Sequence, residues 1–191
     1  MKTLCVLGSP RPKGNSSAIA QHFCAAMERL GSEVQTIPLN ALSYRGCQAC
    51  MACKTKADRC VLRDELTPVL AAICEADVLA IATPVYFADV PSQLKGLLDR
   101  MYSFLVPDYR QNPNRSRLPP GKKLVFIQVQ GRADPEKFAD VFPRYAEFLD
   151  WYGIRERYLI RDCSGREPGE IKTFPGTLTA AEDVARTIMG S

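Results

Sequence analysis

Short, nearly continuous apolar runs alternate along the chain with longer stretches in which apolar residues recur every three or four positions. Leu4-Cys5-Val6-Leu7 ends in Gly8-Ser9-Pro10, the pattern of a buried strand followed by a turn. Asn15-Ser16-Ser17 offers helix caps. Behind it Ile19, Phe23, Met27 and Leu30 keep helical spacing until Gly31 closes the helix. Val34 to Leu39 reads as a second strand. Asp64-Glu65 opens a helix with Leu66, Val69, Leu70, Ile73 and Cys74 on one face, and its early acids suit the helix dipole. Residues 77–84 form a third buried strand. Pro91 can start a helix carrying Leu94, Leu97, Leu98, Met101 and Phe104. A proline-punctuated loop, 107–121, leads to a fourth strand, Leu124 to Val129, which ends at Gln130-Gly131. A helix near 135–151, a strand near 154–160, a Gly/Pro-bearing loop over 163–176 and a helix from near Leu178 complete the pattern.

Strict β-α alternation with apolar strands predicts an α/β fold, a parallel sheet covered by helices on both faces. Right-handed crossovers and five strands make a doubly wound, flavodoxin-like order, 2-1-3-4-5, the natural arrangement. The 191 residues fit one domain, 1–191, interrupted only by a cysteine-rich insertion over 46–62 after the second strand. In such sheets ligands sit beyond the carboxyl ends of the strands at the switch point. The loops 8–17, 83–91 and 130–134 are therefore the candidates, with the cysteine loop on the same edge.

Composition changes this picture little. Hydrophobic content of 46% and charged content of 24% are ordinary for a globular chain, and the formal charge of +4 does not argue for nucleic acid. No secretory signal or membrane-length apolar run is visible, so a cytoplasmic protein away from membranes is expected. In a reducing compartment, clustered cysteines are more often metal ligands or redox thiols than disulfides. Cys5, Cys24, Cys74 and Cys163 lie far apart and read as core filler.

The loop 8–17 combines small residues, hydroxyls, an amide and the cations of Arg11 and Lys13 between a strand and a helix, which suits a phosphate. Five residues separate Gly8 from Gly14 and Asn-Ser follows, so it is not a Walker A loop; a dinucleotide G-x-G-x-x-G is absent as well. A terminal phosphate of mononucleotide type remains. Thr83 to Pro91 is a stiff apolar turn, with two adjacent aromatics, that can pack along a flat ring; its plain alternative is a packed loop or a subunit contact.

Gly8-Ser9-Pro10-Arg11 with Asn15-Ser16-Ser17, Thr83-Pro84-Val85-Tyr86-Phe87 with Pro91-Ser92-Gln93-Leu94-Lys95, and Asp99-Arg100 resemble the NAD(P)H-dependent FMN reductase family of flavodoxin-like proteins. The cysteine run followed by Val61-Leu62-Arg63-Asp64-Glu65 is similar to its iron–sulfur flavoprotein branch. The recognisable motifs cover residues 1 to about 105. The resemblance implies FMN, with Ser9, Arg11, Asn15, Ser16 and Ser17 at its phosphate. Pro84, Val85, Tyr86 and Phe87 would lie at its ring, and Gln130-Gly131, matched by strand order, would form the third flavin loop. It also implies homodimers or homotetramers. The reduced donor would be NAD(P)H or a ferredoxin. The cofactors carry such chemistry, so no catalytic acid or base is expected.

Cys47, Cys50, Cys53 and Cys60 follow the spacing C-x2-C-x2-C-x6-C. A 4Fe-4S cluster needs four thiolates, and tight C-x2-C turns supply three, with Cys60 folding back as the fourth. Zinc, a dithiol pair and a helical face of three cysteines with no metal are the alternatives. Lys54, Lys56 and Arg59 would offset thiolate charge. Three function classes follow. The first is an FMN and iron–sulfur electron-transfer oxidoreductase, exchanging electrons with a small molecule or a redox protein. The second is an NAD(P)H:FMN or quinone/nitro reductase without a cluster. The third is a zinc-bearing binding module. His22 reads as helix packing, Trp151 as core or interface, and the arginines of 107–121 as a solvated loop or a site for the NADPH phosphate.

Overall fold

The computed structural model describes residues 1–163, 167, 170–173 and 175–190. Parts of the expected 163–176 loop, residues 164–166, 168, 169 and 174, lie outside the described residues. The elements run β1 (Lys2–Leu7), α1 (Asn15–Arg29), β2 (Glu33–Pro38), α2 (Ala52–Thr55), α3 (Leu66–Glu75), β3 (Val78–Pro84), α4 (Ser92–Arg100), β4 (Lys123–Val129), α5 (Val141–Asp150), β5 (Glu156–Asp162) and α6 (Pro175–Gly190). All five strands are parallel, in the order β2-β1-β3-β4-β5. The flavodoxin-like sheet expected from the alternation is the one that forms.

Strand side chains point alternately to two cores. Leu4, Val6, Leu79, Ile81, Leu124 and Phe126 meet α3, α4 and α5 on one face. Cys5, Leu7, Val78, Ala80, Val125 and Ile127 meet α1 and α6 on the other. Burial on both faces is why β1, β3 and β4 read as unbroken apolar runs. The edge strands differ: β2 is largely exposed and the first half of β5 mostly so, and β5 runs two residues later than expected, with Ile154 packed in the core ahead of the strand.

The fifth helix also starts later than its apolar spacing suggests. Residues 135–140 form turns: Asp134 Oδ1 accepts the Glu136 N–H at 2.9 Å, and Phe138 is left-handed with φ 60°. The loop 107–121 is tied back by Val106 N–H to Arg115 O (2.9 Å) and Arg117 N–H to Phe104 O (2.7 Å). Arg117 and Lys122 turn inward onto backbone carbonyls, whereas Arg110 and Arg115 stay exposed. His22 lies 2.9 Å from Glu182 on α6, and Trp151 is half-buried against Tyr109 and Phe148; both have packing roles. Cys5 and Cys24 are buried as expected, while Cys74 and Cys163 are partly exposed. Among the described residues no helix is long and apolar enough to cross a membrane.

Gly8 links the two central strands to the α4 layer. Its N–H donates to Ala82 O at 2.8 Å. A Cβ there would stand 2.9 Å from Leu94 Cβ and 3.2 Å from the Ala82 carbonyl. Gly8→Ala is expected to destabilise the fold by about 1–3 kcal/mol through overpacking. Urea unfolding followed by far-UV circular dichroism checks this, and an unchanged midpoint would contradict it.

Candidate functional site

The sheet topology brings the three suspected loops to one cleft. Ser9, Arg11, Gly14, Asn15 and Ser16 after β1, Pro84, Val85 and Tyr86 after β3, and Gln130 and Gly131 after β4 line a cavity of about 210 Å³. Ser9, Asn15 and Ser16 are buried and Arg11 is exposed, so polar groups form the floor and a cation the rim. The loop is internally braced. Arg11 N–H donates to Ser9 Oγ at 3.1 Å, and Gly14 N–H donates to Arg11 O at 3.0 Å. A Cβ on Gly14 would meet the Arg11 carbonyl at 3.2 Å. The helical ladder begins with Ala18 N–H to Gly14 O, and no side chain caps α1. The amides of Ser16 and Ser17 thus precede its first rung, at the positive end of a 15-residue helix. Buried hydroxyls, these amides and a rim cation fit a phosphate dianion.

Two expected contacts fall outside the cleft lining. Ser17 Oγ donates to Arg11 O at 3.4 Å and braces the loop. Phe87 is fully exposed at the tip of a tight turn in which Phe87 and Ala88 are both left-handed, with φ 49° and 68°. Non-glycine residues adopt this region only when their surroundings impose it. Here Tyr86 N–H donates to Asp89 O (2.7 Å) and Asp89 N–H to Tyr86 O (3.0 Å). The Asp89 carboxylate accepts from Tyr145 Oη and from the Val90 N–H, both at 2.7 Å, and pairs with Arg144 at 3.3 Å. Partial burial opposes its charge, but these donors prevail and hold it below the usual carboxylate range. Burial, reinforced by Asp89, raises the Tyr145 phenol far above its ordinary value, so it stays a donor. Gln130 is held similarly: Arg161 donates to its Oε1 at 2.7 Å. Tyr145, Arg144 and Arg161 were not legible as site residues, because they act from elements distant in sequence.

The cysteine loop folds against α4 and not over the phosphate loop. Its two ends are clamped by Arg100, whose side chain is fully buried. Arg100 Nη1 donates to Arg45 O at 3.0 Å and to Asp64 Oδ2 at 2.8 Å, and Nη2 to Leu62 O at 3.4 Å. Cys47, Cys50, Cys53 and Cys60 all line a second cavity of about 580 Å³. The idea of three cysteines on one helical face is overturned. Only Cys53 is helical, in the four-residue α2, because Ala49 and Met51 are left-handed (φ 51° and 56°) and break any longer helix.

Burial raises the Cys53 thiol, the other three cysteines push the same way, and Lys54 opposes them. The Lys54 ammonium is itself held by Tyr102 O (2.6 Å) and Leu105 O (2.5 Å), 4.1 Å above the Tyr102 ring. Among the described residues no group of three or more His, Cys, Asp or Glu is arranged as a metal site. The donor set itself, four thiols beside the cations of Lys54 and Arg100, has the chemistry an anionic iron–sulfur cluster requires.

Residues 1–137 match the model of the NADPH-dependent FMN reductase family. The chain belongs to that family. This family member is similar to proteins named iron–sulfur flavoprotein. One, from Archaeoglobus fulgidus, is 33% identical over 104 residues, 54% of this chain and 47% of that protein. Another, iron–sulfur flavoprotein MJ1083 of Methanocaldococcus jannaschii, is 35% identical over 100 residues, 52% of this chain and 51% of that one. The chain thus spans about half the length of the curated relatives it matches. In fold it is similar to an NAD(P)H:quinone oxidoreductase from Methanothermobacter marburgensis (TM-score 0.73, 17% identity, covering 98% of this chain and 96% of that one). It is also similar to an FMN-dependent NADH-azoreductase from Bacillus anthracis, solved in complex with FMN (TM-score 0.71, 16% identity, covering 99% and 100%).

The Arg100–Asp64 clamp carries a pH dependence. Partial burial opposes the charge of Asp64, but hydrogen bonds from Arg100 and from the Arg45 and Leu66 amides outweigh it and hold the carboxyl below its ordinary value. A depressed folded value means that the clamp's contribution is complete above the ordinary carboxylate pKa, about 4. It is lost as pH falls through the lower, folded value. Asp64→Asn is expected to cost about 3 kcal/mol at pH 7, because it leaves Arg100 buried without its counter-charge. The gap between wild type and variant should close as pH falls through that window. Urea midpoints measured from pH 7 to pH 3 test this; a constant gap would contradict it.

Proposed function

We propose that this chain is an FMN-dependent oxidoreductase of the iron–sulfur flavoprotein kind. The observation that carries the reading is the meeting of three loops, from β1, β3 and β4, in one polar-floored cleft. Ser9, Asn15 and Ser16, the amides at the start of α1 and the Arg11 guanidinium would hold the FMN phosphate, with Ser17 bracing their loop. Pro84, Val85 and Tyr86 would pack along the ring, and Gln130-Gly131 would meet its polar edge. Phe87, presented to solvent beside this cleft, would cover the ring's open side or meet the donor. When bound, FMN supplies acceptance of a hydride and release of single electrons.

The protein's own part is placement. Asp89, with Tyr145 and Arg144, keeps the ring turn in its left-handed form. Arg161 orients Gln130.

In the same reading Cys47, Cys50, Cys53 and Cys60 would ligate a 4Fe-4S cluster, with Lys54 and Arg100 offsetting its negative charge. The names of the relatives support this, as does the backbone. Left-handed alanine and methionine are unfavourable by about 1 kcal/mol each, a strain that metal–thiolate bonds can offset. The electron donor would be NAD(P)H or a reduced ferredoxin, in a cytoplasmic homodimer or homotetramer.

Phosphate anchoring is directly testable. Ser16→Asp places a negative charge on the floor of the cleft and should weaken FMN binding at least about tenfold by like-charge repulsion. Flavin fluorescence titration of the apoprotein reads it. Unchanged affinity in a variant with native circular dichroism would refute the assignment.

A further inference from the structure

Among the described residues three donors hold the Asp89 carboxylate, and they are not equal. Val90 N–H belongs to the next residue and moves with the turn, so it ties Asp89 to no other element. Arg144 is half exposed and 3.3 Å away, and ion pairs of that kind contribute little in water. Tyr145 Oη donates at 2.7 Å from a side chain only 9% exposed. A short hydrogen bond to an ionised acceptor is the strong member of such a set.

The Tyr145 ring is itself fixed. It stacks on Phe126 of β4, with centroids 6.2 Å apart and 19° between the planes. Its hydroxyl therefore carries the position of the sheet to the turn after β3. Val85 N–H donates to Val129 O at 2.8 Å, so the sheet holds the chain directly as far as Val85. Tyr86 bonds instead to Asp89, within the turn. Its place in the cleft depends on two middle residues, Phe87 and Ala88, that are left-handed and unfavourable unless their surroundings impose the form. Tyr145 lies outside the residues 1–137 that match the family, so the matched stretch does not supply this anchor.

We infer that Tyr145 is a positioning residue for the flavin ring. Its hydroxyl, acting through Asp89, holds Tyr86 at the cleft and so sets how tightly the ring is bound. The phosphate loop after β1 is braced by its own residues and by the Glu167 carbonyl, which accepts from Asn15 Nδ2 at 3.1 Å, and is unaffected. This role rests on the cleft being the flavin site, as proposed above.

Tyr145→Phe keeps the ring and its stacking and removes only the hydroxyl. Flavin fluorescence titration of the full-length apoprotein reads FMN affinity. Competition by inorganic phosphate against FMN reads the phosphate end separately. Tyr145→Phe should weaken FMN about threefold to tenfold, the range of one hydrogen bond, and leave the competition constant of phosphate unchanged. A purely structural contribution would lower the urea midpoint and leave FMN affinity of the folded protein as it was; that result overturns the role of Tyr145 alone. Equal weakening of FMN and phosphate, a loosening of the whole cleft, overturns it as well. Wild type that binds no FMN, or binds it without competition from phosphate, overturns the flavin reading of the cleft and the role of Tyr145 with it.

Discussion

The Arg100–Asp64 pair is the contact on which the cysteine-bearing half of the molecule depends. A fully buried guanidinium is costly unless its charge is met by a counter-charge. Here one side chain takes a carboxylate and two backbone carbonyls from both ends of the insertion. Everything between Arg45 and Leu62 is thereby hung from the last turn of α4. The consequence is positional: the four thiols face a cavity between this loop and the α4–α5 layer, on the side of the sheet that also buries Leu79, Leu124 and Phe126.

The cleft between the β1, β3 and β4 loops and the cysteine cavity are distinct, but a short chain of contacts joins them. Tyr145 lines the cysteine cavity and donates its phenol hydrogen to Asp89. Asp89 closes the turn that carries Tyr86, and Tyr86 lines the first cleft. Tyr145 therefore holds the Tyr86–Asp89 turn from the cavity side. The loop after β1 lines the polar-floored cleft, and the loop after β2 turns away and carries the four cysteines.

Much of this was legible in the sequence, for identifiable reasons. The central strands are buried on both faces, so Leu4 to Leu7, Val78 to Thr83 and Leu124 to Val129 are unmistakable. Sheet order, and the meeting of the three loops, followed from chain topology, which is why residues 76 and 121 positions apart, such as Ser9, Val85 and Gln130, could be expected to line one cleft. The edges were less clear because β2 and the start of β5 have too little buried surface to pattern them. The start of α5 was missed because Asp134 holds a turn and Phe138 takes a left-handed conformation, neither of which apolar spacing reveals. Arg100, Tyr145 and Arg161 act across 31 to 56 residues of chain, and residue spacing carries no trace of such pairings.

The central claim is that one chain holds a flavin and an all-cysteine cluster. Its most direct test is an absorption spectrum of anaerobically purified, unreconstituted protein, with iron, sulfide, zinc and flavin determined on the same sample. The account predicts FMN together with four irons and four sulfides per chain, in the ratio a 4Fe-4S cluster requires. Flavin with no iron, even after anaerobic reconstitution, or zinc with no flavin, would contradict it.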